Sequence, residues 1–156
     1  MSGKIIGVFI MASALIAGIA MYFLQVYGFY EEIAEGDYQV ELTSVATGEL
    51  EIILADNVRA IDASSSPLRF RACFTTPHSH AMLTESFVVY KGAEPLVAPA
   101  WFDCFDAVEI GETLENELAI AYLAQADIHD GFDRVVAIFD DGRGFAWHQL
   151  NEKYAE

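Results

Sequence analysis

The feature that most constrains this chain is an uncharged run of twenty-six residues near its N-terminus, from Ile5 to Tyr30. Gln25 is its most polar side chain. Because an α-helix rises about 1.5 Å per residue, about twenty apolar residues cross a hydrocarbon core about 30 Å thick. The run therefore predicts a transmembrane helix, and residues 1–35 are interpreted as a short N-terminal tail followed by this helix.

A cleavable signal peptide is the alternative interpretation of the same run. The stretch from Ala17 to Ala20 resembles a small-residue cleavage site, whereas the apolar segment of a signal peptide is usually about 7–15 residues long. Here the apolar run continues for ten residues beyond that site. Its length therefore favours a retained anchor.

The charges at the two ends of the run predict its orientation. Lys4 is the only basic side chain on the N-terminal side, whereas Glu31, Glu32 and Glu35 follow the run. Positive residues are retained on the cytoplasmic side of a membrane. We therefore expect a cytoplasmic N-terminus and a C-terminal domain on the opposite side.

Small residues lie on one face of the predicted helix, at Gly7, Ala14 and Gly18. Small side chains let two helices approach closely in lipid, where no hydrophobic force drives them together. This face is a candidate packing surface for another transmembrane protein. The alternative is that small residues are simply common in membrane helices.

Charge sets the second constraint on the chain. All 24 acidic residues and 7 of the 8 basic residues follow Tyr30, so residues 31–156 carry a net charge of −17. A surface of this sign excludes nucleic acid as a partner and disfavours anionic lipid headgroups. It would attract a basic protein or metal ions, although an acidic surface also serves solubility alone.

Residues 36–156 are rich in valine, isoleucine, phenylalanine and tyrosine, which favours one folded domain over a disordered tail. Alternating apolar and polar residues predict strands at 38–42, 50–54, 58–63, 68–74, 134–139 and 145–150. Residues 83–90 fit either a helix or a strand, and residues 91–99 predict an irregular segment. The overall prediction is a small α+β domain with a mainly antiparallel sheet.

Two helical segments are expected besides the anchor. The membrane helix is predicted to continue through Glu31 and to stop at Gly36. A second helix is predicted from Thr113 to Gln125, with Thr113 as its cap, because apolar residues recur there at helical spacing.

The two cysteines, Cys73 and Cys104, both follow the apolar run. On the non-cytoplasmic side an even number of cysteines predicts a disulfide. Two free thiols or two thiolate metal ligands are the alternatives.

The best candidate for a chemical site combines those cysteines with nearby side chains that bind soft metals. Its members are Cys73, His78, His80, Met82 and Cys104. Thiolate, imidazole and thioether groups suit copper or zinc. The spacing matches no closed zinc motif, however, and a disulfide would remove both thiolates.

Other motifs have simpler explanations. The stretch from Asp140 to Gly144 lacks the ligand alternation of a calcium loop and predicts a hairpin turn. Arg69 and Arg71, on one face of a strand, could bind an anion or pair with acidic neighbours. We find no phosphate-binding glycine loop, no haem attachment motif and no nucleophile elbow. No catalytic residue and no cofactor are predicted.

Three stretches carry a family resemblance: RFRACF at 69–74, PAWFDCFDA at 99–107 and DRVVAIFDDGRGFAWHQ at 133–149. With the N-terminal anchor, the chain resembles a family of small single-pass membrane proteins of alphaproteobacteria, of unknown function and sometimes labelled histidine kinases. This sequence has neither a glycine-rich ATP-binding box nor a phosphoacceptor helix motif, which contradicts that label. The resemblance implies a bacterial inner membrane and a periplasmic domain, and it supplies no activity and no site residues.

The sequence thus predicts a non-catalytic accessory or assembly subunit of an inner-membrane complex, with a respiratory-chain complex as one candidate. The helix would contact the complex within the bilayer, and the acidic periplasmic domain would contact a basic partner. The alternative is a periplasmic metal- or redox-handling protein that uses Cys73, Cys104, His78 and His80. A ligand-binding sensor is a third possibility, although it would need a partner to transmit its signal inward.

Overall fold

A computed structural model describes residues 2–154, which divide into two compact units that meet in sequence between Tyr30 and Glu31. Met1 of the predicted tail and residues 155–156 of the predicted domain lie outside the described residues.

The first unit is one long helix. Helix α1 spans Gly3–Phe23 and continues as a single π-helical turn over Leu24–Gly28. None of its residues is buried within the unit, although nearly all are apolar. A helix that is apolar on every side needs an apolar environment around it. The span Gly3–Gly28 is long and apolar enough to cross a membrane, as the sequence predicted.

The second unit is built on an antiparallel sheet of six strands in the order β1-β4-β5-β8-β7-β6. The bounds of these strands are β1 Glu31–Ile33, β4 Asp56–Asp62, β5 Arg71–Thr75, β6 Ala119–His129, β7 Phe132–Phe139 and β8 Arg143–Leu150. A separate hairpin pairs β2, Glu41–Thr43, with β3, Leu50–Ile52. Helix α2 spans His80–Ser86 and α3 spans Ala107–Glu115. The predicted α+β class with a mainly antiparallel sheet is confirmed.

Residues 86–90 connect the two sheets through main-chain hydrogen bonds. On one side, the amides of Tyr90 and Leu123 donate to Ala121 and Val88 in the register of β6, each at 2.8 Å. On the other side, the amide of Val88 donates to the carbonyl of Thr43 at the end of β2, at 3.0 Å. This segment therefore covers the β6 edge and carries the hairpin.

The sheet has two faces, and each buries a different set of apolar residues. The inner face packs against β2, β3 and α2, and its core includes Val40, Leu42, Ile53, Phe70, Ala72, Phe74, Leu83, Tyr122, Val136, Ile138 and Ala146. Because side chains alternate along a strand, Arg71, Cys73, Phe145 and Trp147 occupy the outer face. Residues 91–118, called the strap below, cover that face, and Phe105 contacts the rings of Phe145 and Trp147.

The alternation predicted for residues 68–74 is confirmed in its second half. Phe70, Ala72 and Phe74 lie in the inner core, while Arg71 and Cys73 face outward. The first half is wrong, because Pro67–Arg69 form a 3-10 turn. Pro67 at its first position has a φ that suits a helical turn, and the Ser66 side chain accepts a hydrogen bond from the Leu68 amide at 3.3 Å.

Both predicted helical segments beyond the anchor are also wrong. Residues 31–33 form β1, which pairs with Ala60–Asp62 of β4, so the helix does not continue to Gly36. The helix predicted at 113–125 instead ends at Glu115, and Ala119 begins β6. Glu117 adopts a left-handed conformation with a φ of 58°, which breaks the helix between them.

Helix α3 begins earlier than predicted, and its cap is Asp106 rather than Thr113. The carboxylate of Asp106 accepts hydrogen bonds from the amides of Val108 and Glu109 at 2.9 and 3.2 Å. Ile110 is the fully buried residue of this short helix, so the helix caps one end of the outer face with a single apolar anchor.

Candidate functional site

The structure joins Cys73 and Cys104 in a disulfide, as the sequence predicted, with their Cα atoms 6.3 Å apart. Cys73 lies on β5 and is 7% exposed, while Cys104 lies in the strap and is half-buried. The bridge therefore ties the strap to the centre of the sheet. In this state neither sulfur is a thiolate, so neither can act as a thiolate ligand for a metal.

Arg71 lies two residues before Cys73 on β5 and forms a second attachment between the sheet and the strap. Its guanidinium donates to the carbonyls of Leu96 and Val97 in the strap, at 2.8 and 3.1 Å. It also donates to the carbonyls of Leu68 and Phe70, at 2.7 and 2.6 Å. Arg71 is only 3% exposed, so this buried charge is solvated by main-chain oxygens, as a buried charge requires.

The beginning of the strap is fixed by Gln149 at the end of β8. Its side-chain amide donates to the Gly92 carbonyl at 3.0 Å, and its oxygen accepts from the Glu94 amide at 2.9 Å. The same oxygen accepts from the indole N–H of Trp147 at 3.0 Å. Together with the disulfide and Arg71, these contacts hold the strap over the outer face; apart from α3, the strap is irregular.

The two histidines of the predicted metal site make separate contacts. The Nε2 atom of His78 accepts a hydrogen bond from the Leu54 amide at 3.2 Å. The Nε2 atom of His80, at the start of α2, lies 3.1 Å from the Asp140 carboxylate. Met82 is 39% exposed. Within residues 2–154, no group of three or more histidine, cysteine, aspartate or glutamate side chains is placed to hold a metal ion.

One polar cluster that sequence reasoning did not identify joins Arg134 and His148, on neighbouring strands of the inner face. Arg134 donates from Nε to His148 Nε2 at 2.9 Å, and its guanidinium lies 4.1 Å from the centre of the Phe70 ring. His148 stacks on the same ring at 4.7 Å, and its Nδ1 atom contacts the Pro67 carbonyl at 2.6 Å. Since Nε2 accepts from Arg134, Nδ1 carries the proton and donates to Pro67.

Burial and the nearby Arg134 charge lower the pKa of His148 from 6.5 to about 4. Burial raises the pKa of Tyr38, whose ring lies 5.3 Å from the Arg134 guanidinium, to about 12. Both groups therefore keep one protonation state at neutral pH, whereas a general acid or base works best with a pKa near the working pH. The geometry suits a structural hydrogen-bonded cluster.

A family model covers most of the domain just described. Residues 40–156 match the model of a family described as a family of unknown function, DUF6446. This chain belongs to the DUF6446 family. Neither a curated protein nor a solved structure matches the chain.

The part that matches the DUF6446 model begins at Val40, on the approach to β2, and includes the disulfide, Arg71, the strap and the Arg134–His148 pair. It leaves out α1 and β1. The resemblance to an uncharacterised family is thereby confirmed for the domain.

The first part of the DUF6446 protein's domain is strongly acidic. Residues 31–62 carry nine acidic side chains and one basic side chain, Arg59. Two open clefts, of about 540 and 670 Å³, are both lined by residues of β1. The larger cleft is lined by the carboxylates of Glu31, Glu32, Asp37 and Asp62 and by His129. This surface favours cationic groups over anionic ones.

The predicted packing face of the helix is open within the described residues. A Cβ atom built at Gly7 or Gly18 would meet no atom within 4 Å, and Ala14 is exposed between them. The three residues lie seven and four positions apart, which places them on one side of an α-helix. A second helix could therefore approach this side closely.

Proposed function

We propose that this DUF6446 protein is a non-catalytic accessory or assembly subunit of a larger inner-membrane complex, with its acidic domain in the periplasm. The observation that carries the proposal is the direct connection between an apolar helix and a domain of net charge −17. The chain thus brings one anchored, strongly acidic surface to a membrane.

The distribution of charge around the helix supports the orientation. Lys4 lies at its N-terminal end, and Glu31 follows one residue after Tyr30 at the other end. The rule that basic residues remain in the cytoplasm then places the domain in the periplasm. Disulfides form and persist in that compartment, which agrees with the bond between Cys73 and Cys104.

The open side of the helix supports attachment to other membrane subunits. An isolated anchor needs no small-residue face, whereas Gly7, Ala14 and Gly18 allow close helix packing in lipid. The acidic domain would then meet a basic protein in the periplasm. A respiratory-chain complex is the host we propose, because its soluble electron carriers can be cationic.

The proposal is tested by purifying the full-length chain from its native membranes in a mild detergent. We expect a defined set of membrane subunits to co-purify in constant ratio and to co-migrate with the chain on sizing. Gly18→Leu should weaken this association, while Ile16→Leu, on another side of the helix, should leave it unchanged. A wild-type chain that sizes alone would refute the proposal.

A further inference from the structure

The hairpin of β2 and β3 leaves one strand with an open edge. The Ser44 amide donates to the Glu49 carbonyl and the Ile53 amide donates to the Val40 carbonyl, both at 2.9 Å. Hydrogen-bonded and non-bonded pairs alternate along an antiparallel ladder. The Leu42–Glu51 pair between them is therefore a bonded one. The amides and carbonyls of Leu50 and Ile52 must then point away from β2.

The open edge has a defined end. At Leu54 the chain turns toward β4, and there the amide donates to His78 Nε2 at 3.2 Å while the carbonyl accepts from the Thr76 hydroxyl at 2.8 Å. Among the described strands, β3 pairs only with β2. Leu50 and Ile52 thus offer two donors and two acceptors in the geometry that an added strand would need.

The outward side chains of this edge are apolar and exposed. Leu50, Ile52 and Leu54 are 40%, 60% and 58% exposed, while Ile53 on the opposite side is 5% exposed and part of the core. Natural edge strands are usually protected by short length, charged side chains, proline or a bulge. The stretch from Leu50 to Leu54 contains no lysine and no proline, and its register with β2 is regular. Its protection is the short length of β3 and the negative charge of Glu51, which leave the edge open to a strand of opposite charge.

Charge decides which partner fits. Glu41, Glu49, Glu51 and Asp56 surround the edge, and residues 31–62 carry nine acidic side chains against one basic. A second copy of the chain would place like charges against each other, and anionic headgroups would be repelled. An extended segment with alternating apolar and basic side chains satisfies the backbone groups, the apolar face and the charges at once.

We propose that the β3 edge is a docking site for a basic, extended segment of a partner protein, which adds to the hairpin as a third strand through Leu50 and Ile52. This inference rests on the proposed function, since it assigns the surface through which the periplasmic domain binds its partner. The apolar side chains give affinity, the carboxylates select a cationic sequence, and the main-chain bonds set the register.

The direct test measures hydrogen exchange of the full-length chain in zwitterionic nanodiscs. The probe is a capped peptide of about eight residues, the length of an ordinary strand, that alternates valine and lysine. We expect it to slow exchange of the Leu50 and Ile52 amides by about tenfold or more, because an amide bonded within a sheet exchanges only on local opening. The matched peptide of valine and glutamate should not do so.

Two substitutions of equal charge separate the edge from the overall field of the domain. Ile52→Lys should weaken binding of the valine–lysine peptide by about tenfold or more, because it adds a repelling charge at the edge. Val97→Lys, at a strap residue that is 79% exposed, should leave binding nearly unchanged. Leu50→Lys is the second edge variant, and unfolding followed by tryptophan fluorescence verifies that each variant is folded.

Protection at another strand instead of β3, equal binding of the acidic peptide, or an equal loss of peptide binding in Val97→Lys would overturn the proposal.

Failure of the proposed function appears in a different measurement. A wild-type chain that purifies alone removes the accessory-subunit role whatever the peptide does. Native subunits that co-purify equally with wild type and Ile52→Lys leave that role intact and remove the β3 edge as the docking site.

Discussion

The His148→Gln variant should change how the stability of the domain depends on pH. His148 is 1% exposed and neutral, with Nδ1–H donating to Pro67 and Nε2 accepting from Arg134. Glutamine can also donate through its nitrogen and accept through its oxygen, but it cannot take up a proton in this range. The substitution therefore removes the titration while keeping much of the hydrogen bonding.

The magnitude follows from the difference between the folded and unfolded pKa. The unfolded chain binds the His148 proton near the ordinary pKa of 6.5, whereas the folded chain binds it near 4. Between these values the unfolded state holds more protons, so acid lowers the free energy of unfolding by about 1.4 kcal/mol per pH unit. The loss due to His148 is about 2 kcal/mol at pH 5 and about 3 kcal/mol below pH 4.

The assay is denaturant unfolding of the full-length chain in detergent at several pH values between 7 and 4. Trp101 and Trp147 are the only tryptophans and both lie in the domain, so their fluorescence reports domain unfolding alone. Protonation of carboxylates affects wild type and variant alike, so the difference between them isolates His148. We expect the variant to start about 1 to 2 kcal/mol less stable at pH 7, through lost stacking on Phe70, and to approach or pass wild type near pH 5.

Val136→Ala is the control, since Val136 is fully buried in the inner core and its truncation removes packing but no titrating group. It should keep the wild-type slope. If wild type and His148→Gln lost stability in parallel from pH 6.5 to 4, His148 would not be buried as a neutral acceptor for Arg134, and the reasoning would be refuted.

Three further predictions concern the strap and the sheet. Reduction of the Cys73–Cys104 disulfide opens a loop of 31 residues and should lower the unfolding free energy by about 3 to 4 kcal/mol, with no effect of reductant on a double-alanine variant. Arg71→Met should lower the free energy of unfolding by about 2 to 4 kcal/mol and speed proteolysis within the strap, because four carbonyls lose a charged donor. Equal cleavage rates in wild type and variant would show that Arg71 does not hold the strap. Gly144→Ala should lower the free energy of unfolding by about 1 to 3 kcal/mol, because a Cβ atom there overlaps the Phe74 ring. Gly111→Ala in α3 is its control, since its Cβ atom meets only Pro95 at 3.8 Å and should raise the free energy of unfolding by up to about 1 kcal/mol. Thermal melts compare the two variants, and equal shifts in melting temperature would argue against the packing described.

The local sequence pattern was sufficient to predict the structure where one physical requirement dominated the sequence. The apolar run was long enough to predict a spanning helix, and the alternation around Phe70, Ala72 and Phe74 predicted the inner face of β5. The hairpin of β7 and β8 followed from a turn sequence with Gly142, whose φ is 87°. In each case the local preference and the tertiary environment agree.

Strand β6 is an element whose type the local sequence pattern did not predict. Its four alanines favour a helix in isolation, and Tyr122 falls at helical spacing from Leu118 and Leu114, which precede the strand. The strand forms because Ala119, Ala121 and their neighbours pair with β7, and the small side chains of these two residues are buried where α3 of the strap contacts β6. Tertiary pairing outweighed intrinsic propensity.

The polar contacts were inaccessible to sequence reasoning for a different reason. Arg71 binds carbonyls about 25 residues away, and Arg134 meets a histidine on the next strand, 14 residues away. No spacing rule relates such partners, because they are set by strand order and by the path of an irregular segment. The one available signal was an arginine within a mostly apolar strand, which indicates a buried and solvated charge.

The proposed role depends most on a helix that remains part of the protein and holds the acidic domain at a membrane. The most direct measurement is the intact mass and location of the chain in cells, after membranes are washed with alkaline carbonate. We predict the full chain of 156 residues in the washed membrane pellet. A shorter polypeptide that begins near residue 21 and is recovered in the soluble fraction would contradict the account.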